Sequence, residues 1–288
     1  MGRPYRVNVP TRVHHLNCAT MRTPLAGRSS LVPSHLVAHC LLVETADRLV
    51  LVDTAFGTAD LASPAKRLGR PFLIATGPTF DPAETAVAQV RGLGHRPEDV
   101  TDIVVTHLDL DHAGGLGDFP GARVHVLASE LAAARARKSQ GEKGRYRPVQ
   151  WEHGPSWVEH DTAEEDWFGF AATPVWPGSD DLVLVPLIGH TRGHVGVGVR
   201  RPGGGWFLHA GDAYFSHGEK LDPPQCPGGL KVFQSMVQMD KAARLANQDR
   251  LRSLHAEHGA PGPDGRPEIT MFCAHDHVEY DALADVTD

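Results

Sequence analysis

The sequence has no surplus of positive charge, no apolar run long enough to cross a bilayer, and little cysteine. Its 28 lysines and arginines are outnumbered by 35 aspartates and glutamates, for a formal net charge of −7. That balance advertises no basic face for nucleic acid or anionic lipid, so neither is expected as a partner. No stretch approaches the roughly 18 apolar residues of a membrane-spanning helix. The segment 1–21 has arginines but no continuous apolar core and no small-residue cleavage site, which leads us to expect a cytoplasmic protein. The four cysteines (Cys18, Cys40, Cys226, Cys273) form no C-x-x-C pair and are expected as reduced thiols, not as a disulfide frame or zinc knuckle. Aromatic residues are only 7% of the chain.

What the chain does have is histidine, 18 in 288 residues, often beside glycine or aspartate and in apolar surroundings. Histidine is the commonest metal ligand and the proton carrier nearest neutral pH. Apart from this, 41% hydrophobic and 22% charged residues describe an ordinary globular protein.

Residues His35–Thr45 and Arg48–Thr54 read as two strands around a turn at Ala46-Asp47. Pro82–Leu93 has helical apolar spacing with Gly94 as a stop. Val100–Thr106 and Ala122–Leu127 are short β-branched runs, and Ser129 can cap a helix reaching about Lys138. Leu182–Ile188, Val195–Arg200, Trp206–Ala210 and Glu268–Ala274 read as further strands, and Val232–His258 as mainly helical. Strands come in clusters, with helices between clusters. That order predicts two mixed sheets covered by helices and disfavours Rossmann and TIM-barrel arrangements. No internal repeat is visible, so one domain over 1–288 is expected.

Ser139–Asp181 differs from the rest. It holds Trp151, Trp157, Trp167 and Trp176, four of the five tryptophans, with Phe168 and Phe170 and little periodicity. It reads as a long ordered insertion, of the kind that often serves as a lid. Trp151, Trp157, Trp167 and Phe168 would then line a substrate pocket; alternatively they pin the loop to the body.

The strongest signal is His107-Leu108-Asp109-Leu110-Asp111-His112-Ala113-Gly114-Gly115. Four potential metal ligands occur within six positions at a strand end, led in by the core-like run Asp102–Thr106. Three further islands each follow an apolar strand: Gly189-His190-Thr191-Arg192-Gly193-His194, then His209-Ala210-Gly211-Asp212, then Ala274-His275-Asp276-His277. One such island would be an ordinary capping or core histidine. Four in this order point to a shared metal site.

These residues resemble the metallo-β-lactamase superfamily, whose pattern is HxHxDH, a GHTxGH histidine, a GD aspartate and a late histidine after a final strand. The resemblance runs from about His35 to the C-terminus and includes Val52-Asp53-Thr54, with Ala55 where the family usually has glycine. It implies an αββα four-layer sandwich of two mixed sheets flanked by helices, and it is closest to the lactonase-like branch. It further implies two divalent ions. His107, Asp109 and His190 would hold one; Asp111, His112 and His275 would hold the other, with Asp212 between them. His194 is expected to support the ligands, and His277 competes with His275 for the last place.

Asp109 stands where the family normally has histidine. Flavodiiron reductases resemble this site in placing a carboxylate there, and an added anionic oxygen favours harder ions, so iron or manganese stands beside zinc. The resemblance implies a metal-activated hydroxide attacking an ester, lactone or related acyl substrate. Asp111 would accept a proton, and Tyr214 either donates to the developing oxyanion or pairs within the core. A diiron oxidoreductase and a metal-binding protein without catalysis are the competing readings. The expected partner is a small molecule; relatives of this branch also raise a homodimer.

Overall fold

In the computed structural model, residues 10–23, 26, 31–162 and 165–286 are described. Residues 1–9, where part of the N-terminal reading falls, lie outside this set, as do 163 and 164 of the tryptophan-rich segment.

Two six-stranded sheets pack face to face. The first follows chain order: β1 (Arg12–Met21), β2 (Leu36–Glu44), β3 (Leu49–Val52), β4 (Asp102–Val104), β5 (Arg123–Leu127) and β6 (Ser156–His160). Its β1–β3 pairings are antiparallel, and those from β3 to β6 are parallel. The second contains β7 (Glu165–Trp167), β8 (Phe170–Pro174), β9 (Leu182–Pro186), β10 (Val195–Arg200), β11 (Trp206–His209) and β12 (Ile269–Phe272), with β11 and β12 parallel.

Three apolar clusters fill three interfaces. Leu41, Val50, Val52, Val104, Leu184, Val197 and Phe272 fill the space between the sheets. A second cluster, with Leu42, Leu51, Ile103 and Val124, lies between the first sheet and its helices; a third, with Leu208, Leu251 and Met271, lies on the other side. Strands covered on both faces read as unbroken apolar runs, which is why HCLLVE and RLVLVDT were legible. Each fully buried leucine or valine contributes about 1.5–3 kcal/mol by leaving water. The architecture is the four-layer αββα sandwich.

The structure departs from the sequence reading in four places. Strand β1 was not foreseen, because a register shift between Asn17 and Thr20 breaks the two-residue alternation. The segment 139–181 does not stand apart from the sheets: it carries β6, the edge of the first sheet, and β7 and β8, the edge of the second. Ser129 is not a cap, since the Ala128–Ala136 helix begins one residue before it. The expected helix over 232–258 is two helices, Gly228–Val237 and Lys241–His258, parted where Asp240 caps the second through Ala243 N.

At the edge between the sheets, buried Asp102 accepts from His125 Nε2 at 2.8 Å, and His125 Nδ1 meets His160 Nε2 at 2.9 Å. Burial and the neighbouring His125 push His160 down to about 4. A group whose folded pKa lies below its unfolded value of about 6.5 binds its proton more readily in the unfolded chain, so stability falls as pH drops. The contribution is intact above pH 6.5 and drains away toward pH 4. Melting temperatures measured between pH 4 and 7 should therefore fall less steeply for His160→Gln than for the parent; identical slopes would remove His160 from the account.

Candidate metal centre

Each candidate ligand, and Asp53 beside them, follows the C-terminal end of a strand. Asp53 follows β3, His107 to His112 follow β4, His190 follows β9, Asp212 follows β11 and His275 follows β12. The chain thus brings five loops to one edge of the sandwich.

There they converge in two groups. Ligand atoms of His107, His190 and Asp212 lie within 4.8 Å of one another, and so do those of Asp111, His112 and His275. Asp212 faces both groups: Oδ2 is 3.4 Å from His190 Nε2, and Oδ1 is 3.1 Å from His275 Nε2 and 3.3 Å from His112 Nε2. Asp109 Oδ2 lies 3.0 Å from His190 Nε2 and 3.5 Å from His107 Nε2. All seven residues singled out from the sequence as ligands are therefore brought together.

In His107, His112 and His275 the other ring nitrogen is committed elsewhere, which aims Nε2 inward. His112 Nδ1 donates to Asp53 Oδ2 at 2.8 Å, and His275 Nδ1 donates to the Val37 carbonyl at 2.7 Å. Thr106 Oγ1 donates to Asp53 Oδ2 at 2.7 Å and lies 3.0 Å from His107 Nδ1, from which it can accept. Asp53 also accepts from Thr106 N at 2.8 Å. The single carboxylate of Asp53 thus orients one histidine in each group. It sits at φ 58°, and Ala55, in place of the family glycine, sits at φ 49°. Left-handed backbone at non-glycine residues is retained where surrounding contacts enforce it.

Four buried atoms here, His107 Nε2, His112 Nε2, Asp109 Oδ1 and Asp212 Oδ1, have no hydrogen-bond partner. Imidazole nitrogens and carboxylate oxygens converging in this way suit a divalent cation, so the residues fit a metal. Electrostatics agree. Burial would raise the Asp212 carboxyl, but His275, His112 and His190 hold it well below its usual range. Burial would lower His112, yet Asp212 and Asp53 carry it well above its ordinary value. Burial, reinforced by Arg145, pushes His190 down to about 4, leaving a neutral imidazole near neutral pH.

Two supports escaped the sequence reading. Glu130, buried on the Ala128–Ala136 helix, accepts from Leu108 N and Gly193 N, both at 3.0 Å, and so clamps two ligand loops. Arg145, on the Gln140–Arg145 helix, places Nε 3.4 Å from Asp109 Oδ1. Neither stands near the motifs in sequence, and a charged residue in an amphipathic helix carries no mark of burial. His194 is a support, as expected: Nδ1 donates to Leu187 O and Nε2 accepts from Asp212 N at 2.8 Å. Gly211 makes that contact possible, since a Cβ there would fall 2.5 Å from His194 Nε2. His277 stacks on His35 at 4.5 Å instead of joining the centre.

Other expectations need correction. Tyr214 is buried, and its hydroxyl donates to Glu279 at 3.0 Å, so it pairs within the core and does not line the cavity over the centre. The tryptophan-rich segment does not line that cavity with its aromatics either. Trp151 and Trp157 pack against the first sheet's helix-side core, while Trp167 meets Trp206 and Phe168 edge-on and Phe168 meets His258. They pin the segment. The missing side chains of Gly114 and Gly115 admit the Thr54–Phe56 backbone.

The cavity itself, about 410 Å³, is walled by three helices. Phe72 comes from Arg70–Thr76, Arg145 from Gln140–Arg145, and Phe233 and Met236 from Gly228–Val237; Asp111, Asp212 and His275 form its floor. Replacing Asp53 by alanine frees the His112 and His107 rings, and zinc affinity measured by chelator competition should fall about 10- to 100-fold. An unchanged affinity would refute the orienting role.

Comparison with known proteins agrees with this arrangement. The profile of the metallo-beta-lactamase superfamily matches residues 35–257. A probable metallo-hydrolase of Mycobacterium tuberculosis is 41% identical over 277 residues, covering 96% of this chain and 84% of that protein. An N-acyl homoserine lactonase of Agrobacterium fabrum is 31% identical over 125 residues, 43% of this chain and 45% of the lactonase. Among solved structures, an N-acyl homoserine lactone hydrolase with N-hexanoyl-L-homoserine at its catalytic metal centre superposes with a TM-score of 0.68. Its sequence identity is 20%, and the match covers 95% of this chain and 96% of that one, a likeness of fold.

Proposed function

This chain belongs to the metallo-beta-lactamase superfamily and is a metallo-hydrolase; from that premise we propose that it hydrolyses a small ester or lactone bearing an apolar acyl group at a dinuclear metal centre. The observation that carries this reading is the set of buried atoms without hydrogen-bond partners on His107, His112 and Asp212, lying under a largely apolar-walled cavity.

His107, Asp109 and His190 would hold one ion, Asp111, His112 and His275 the other, and Asp212 would serve both. Bound there, the ions would polarise a carbonyl oxygen and bring the pKa of a water ligand from 15.7 to roughly 7. Asp111 reaches the cavity surface, which supports a role in taking up a proton from the attacking water and returning it to the leaving oxygen. Phe72, Phe233 and Met236 would exclude water and seat the acyl chain, and Met236, 77% exposed, marks the apolar rim. Zinc is the favoured occupant. The diiron reading draws on Asp109 alone, and the adjacent Arg145 offsets the extra negative charge on which that reading depends.

The test is turnover by metal-stripped and Zn-, Co- or Mn-loaded protein against lactones and esters of graded acyl length. We expect metal-dependent hydrolysis with kcat/KM rising with chain length, and loss of roughly 100-fold or more in Asp111→Asn. Tyr214→Phe should retain kcat within about threefold, because its hydroxyl serves Glu279. Two bound equivalents without turnover on any substrate would favour a binding protein. Oxygen or nitric-oxide consumption by the iron form, without hydrolysis, would overturn the proposal.

A further inference from the structure

Position 109 carries aspartate where the resemblance leads one to expect histidine, and the structure places a buried guanidinium against it. We propose that Arg145 is a positioning residue that cancels the Asp109 charge and thereby sets the metal preference of the His107–His190–Asp212 half of the centre. The proposal rests on the metal-centre reading above.

The Arg145 side chain is 9% exposed. Nε lies 3.4 Å from Asp109 Oδ1, Nη1 donates to the His190 carbonyl at 3.0 Å, and Nη2 donates to the Val237 carbonyl. Held at three points, the guanidinium cannot swing toward a bound substrate. It is committed to the loop that bears His190 and to the carboxylate beside it. A buried guanidinium without a counter-ion is strongly unfavourable, so Asp109 and Arg145 each require the other.

The charge arithmetic follows. An imidazole donor is neutral, and an Asp109–Arg145 pair is also neutral. This half of the centre then presents the net charge of Asp212 alone, although it contains a second carboxylate. Added anionic oxygen draws harder ions such as manganese and iron, whereas imidazole suits zinc. Neutralised by Arg145, Asp109 can fill the histidine's place without that shift. Arg145 therefore explains how a shorter, charged side chain is accommodated in a shell otherwise made for zinc.

The test compares the parent with Arg145→Met, Arg145→Lys and Asp109→Asn, each stripped and equilibrated with equimolar Zn2+ and Mn2+, with bound metal counted by mass spectrometry. The parent should bind two equivalents and favour zinc. In Arg145→Met the Mn-to-Zn ratio should rise about tenfold, with Arg145→Lys close to the parent and Asp109→Asn shifted the opposite way. The cobalt-loaded Arg145→Met protein should also show an altered visible d–d spectrum, a readout independent of turnover. Two equivalents with an unchanged ratio would overturn the role of Arg145 and leave the metal centre standing; a parent that binds no metal would overturn both. Should Arg145→Met not fold, thermal melting of Asp109→His and Asp109→His/Arg145→Met decides the matter. The single variant leaves the guanidinium unpaired and should melt lower, and the double variant should recover. Equal melting temperatures would refute the pairing.

Discussion

The carboxylate of Asp53 is the point on which the centre depends. It lies at the end of β3, fully enclosed, and three donors converge on it: Thr106 N, Thr106 Oγ1 and His112 Nδ1. Burial favours its neutral form, but His112 outweighs that and keeps it ionised. Through it, one charge fixes the loop after β4 and the tautomer of His112, and Thr106 relays the same constraint to His107. Without such an anchor, a string of histidines and aspartates at a strand end would be free to find other partners. Its left-handed backbone and that of Ala55 show that the surrounding sandwich, not local preference, enforces the turn.

The layers supply the enforcement. Parallel pairing from β3 to β5 and from β11 to β12 sends several chain segments out of the same edge, and the inter-sheet cluster of valines and leucines fixes their spacing. Glu130 then joins the His107 loop to the His190 loop from outside the sheets, while His194 joins β9 to the Asp212 turn. The centre is consequently held by several separate polar contacts to rigid elements, and the cavity above it is made by helices that contribute Phe72, Phe233 and Met236 together with Arg145.

The sequence disclosed the residues that converge at the centre and the layering, and it did so for a physical reason. Ligand types cluster because a metal demands several donors within a few ångströms, and strands buried on both faces spell unbroken apolar runs. It did not disclose the cavity walls. Phe72, Phe233 and Met236 sit on short helices whose apolar residues look like ordinary packing, whereas the conspicuous tryptophans are spent on holding β6, β7 and their surroundings in place. Tyr214 lay close to Asp212 in sequence yet points to Glu279, because the chain turns after Gly211. Arg145 and Glu130 were invisible because their partners are remote in sequence, and only the folded chain puts them beside the motif.

The break between the Gly228–Val237 and Lys241–His258 helices has its own consequence. Met239 N and Asp240 N both donate to the Gly189 carbonyl, at 2.8 and 2.9 Å, one residue from His190. The cavity wall and the loop that bears His190 therefore share a tether. Side chains at Phe233 or Met236 can change without disturbing that tether, whereas a change in the length of the joint would drag His190 with it. The cavity wall is thus free to vary in residue identity and tied in backbone length.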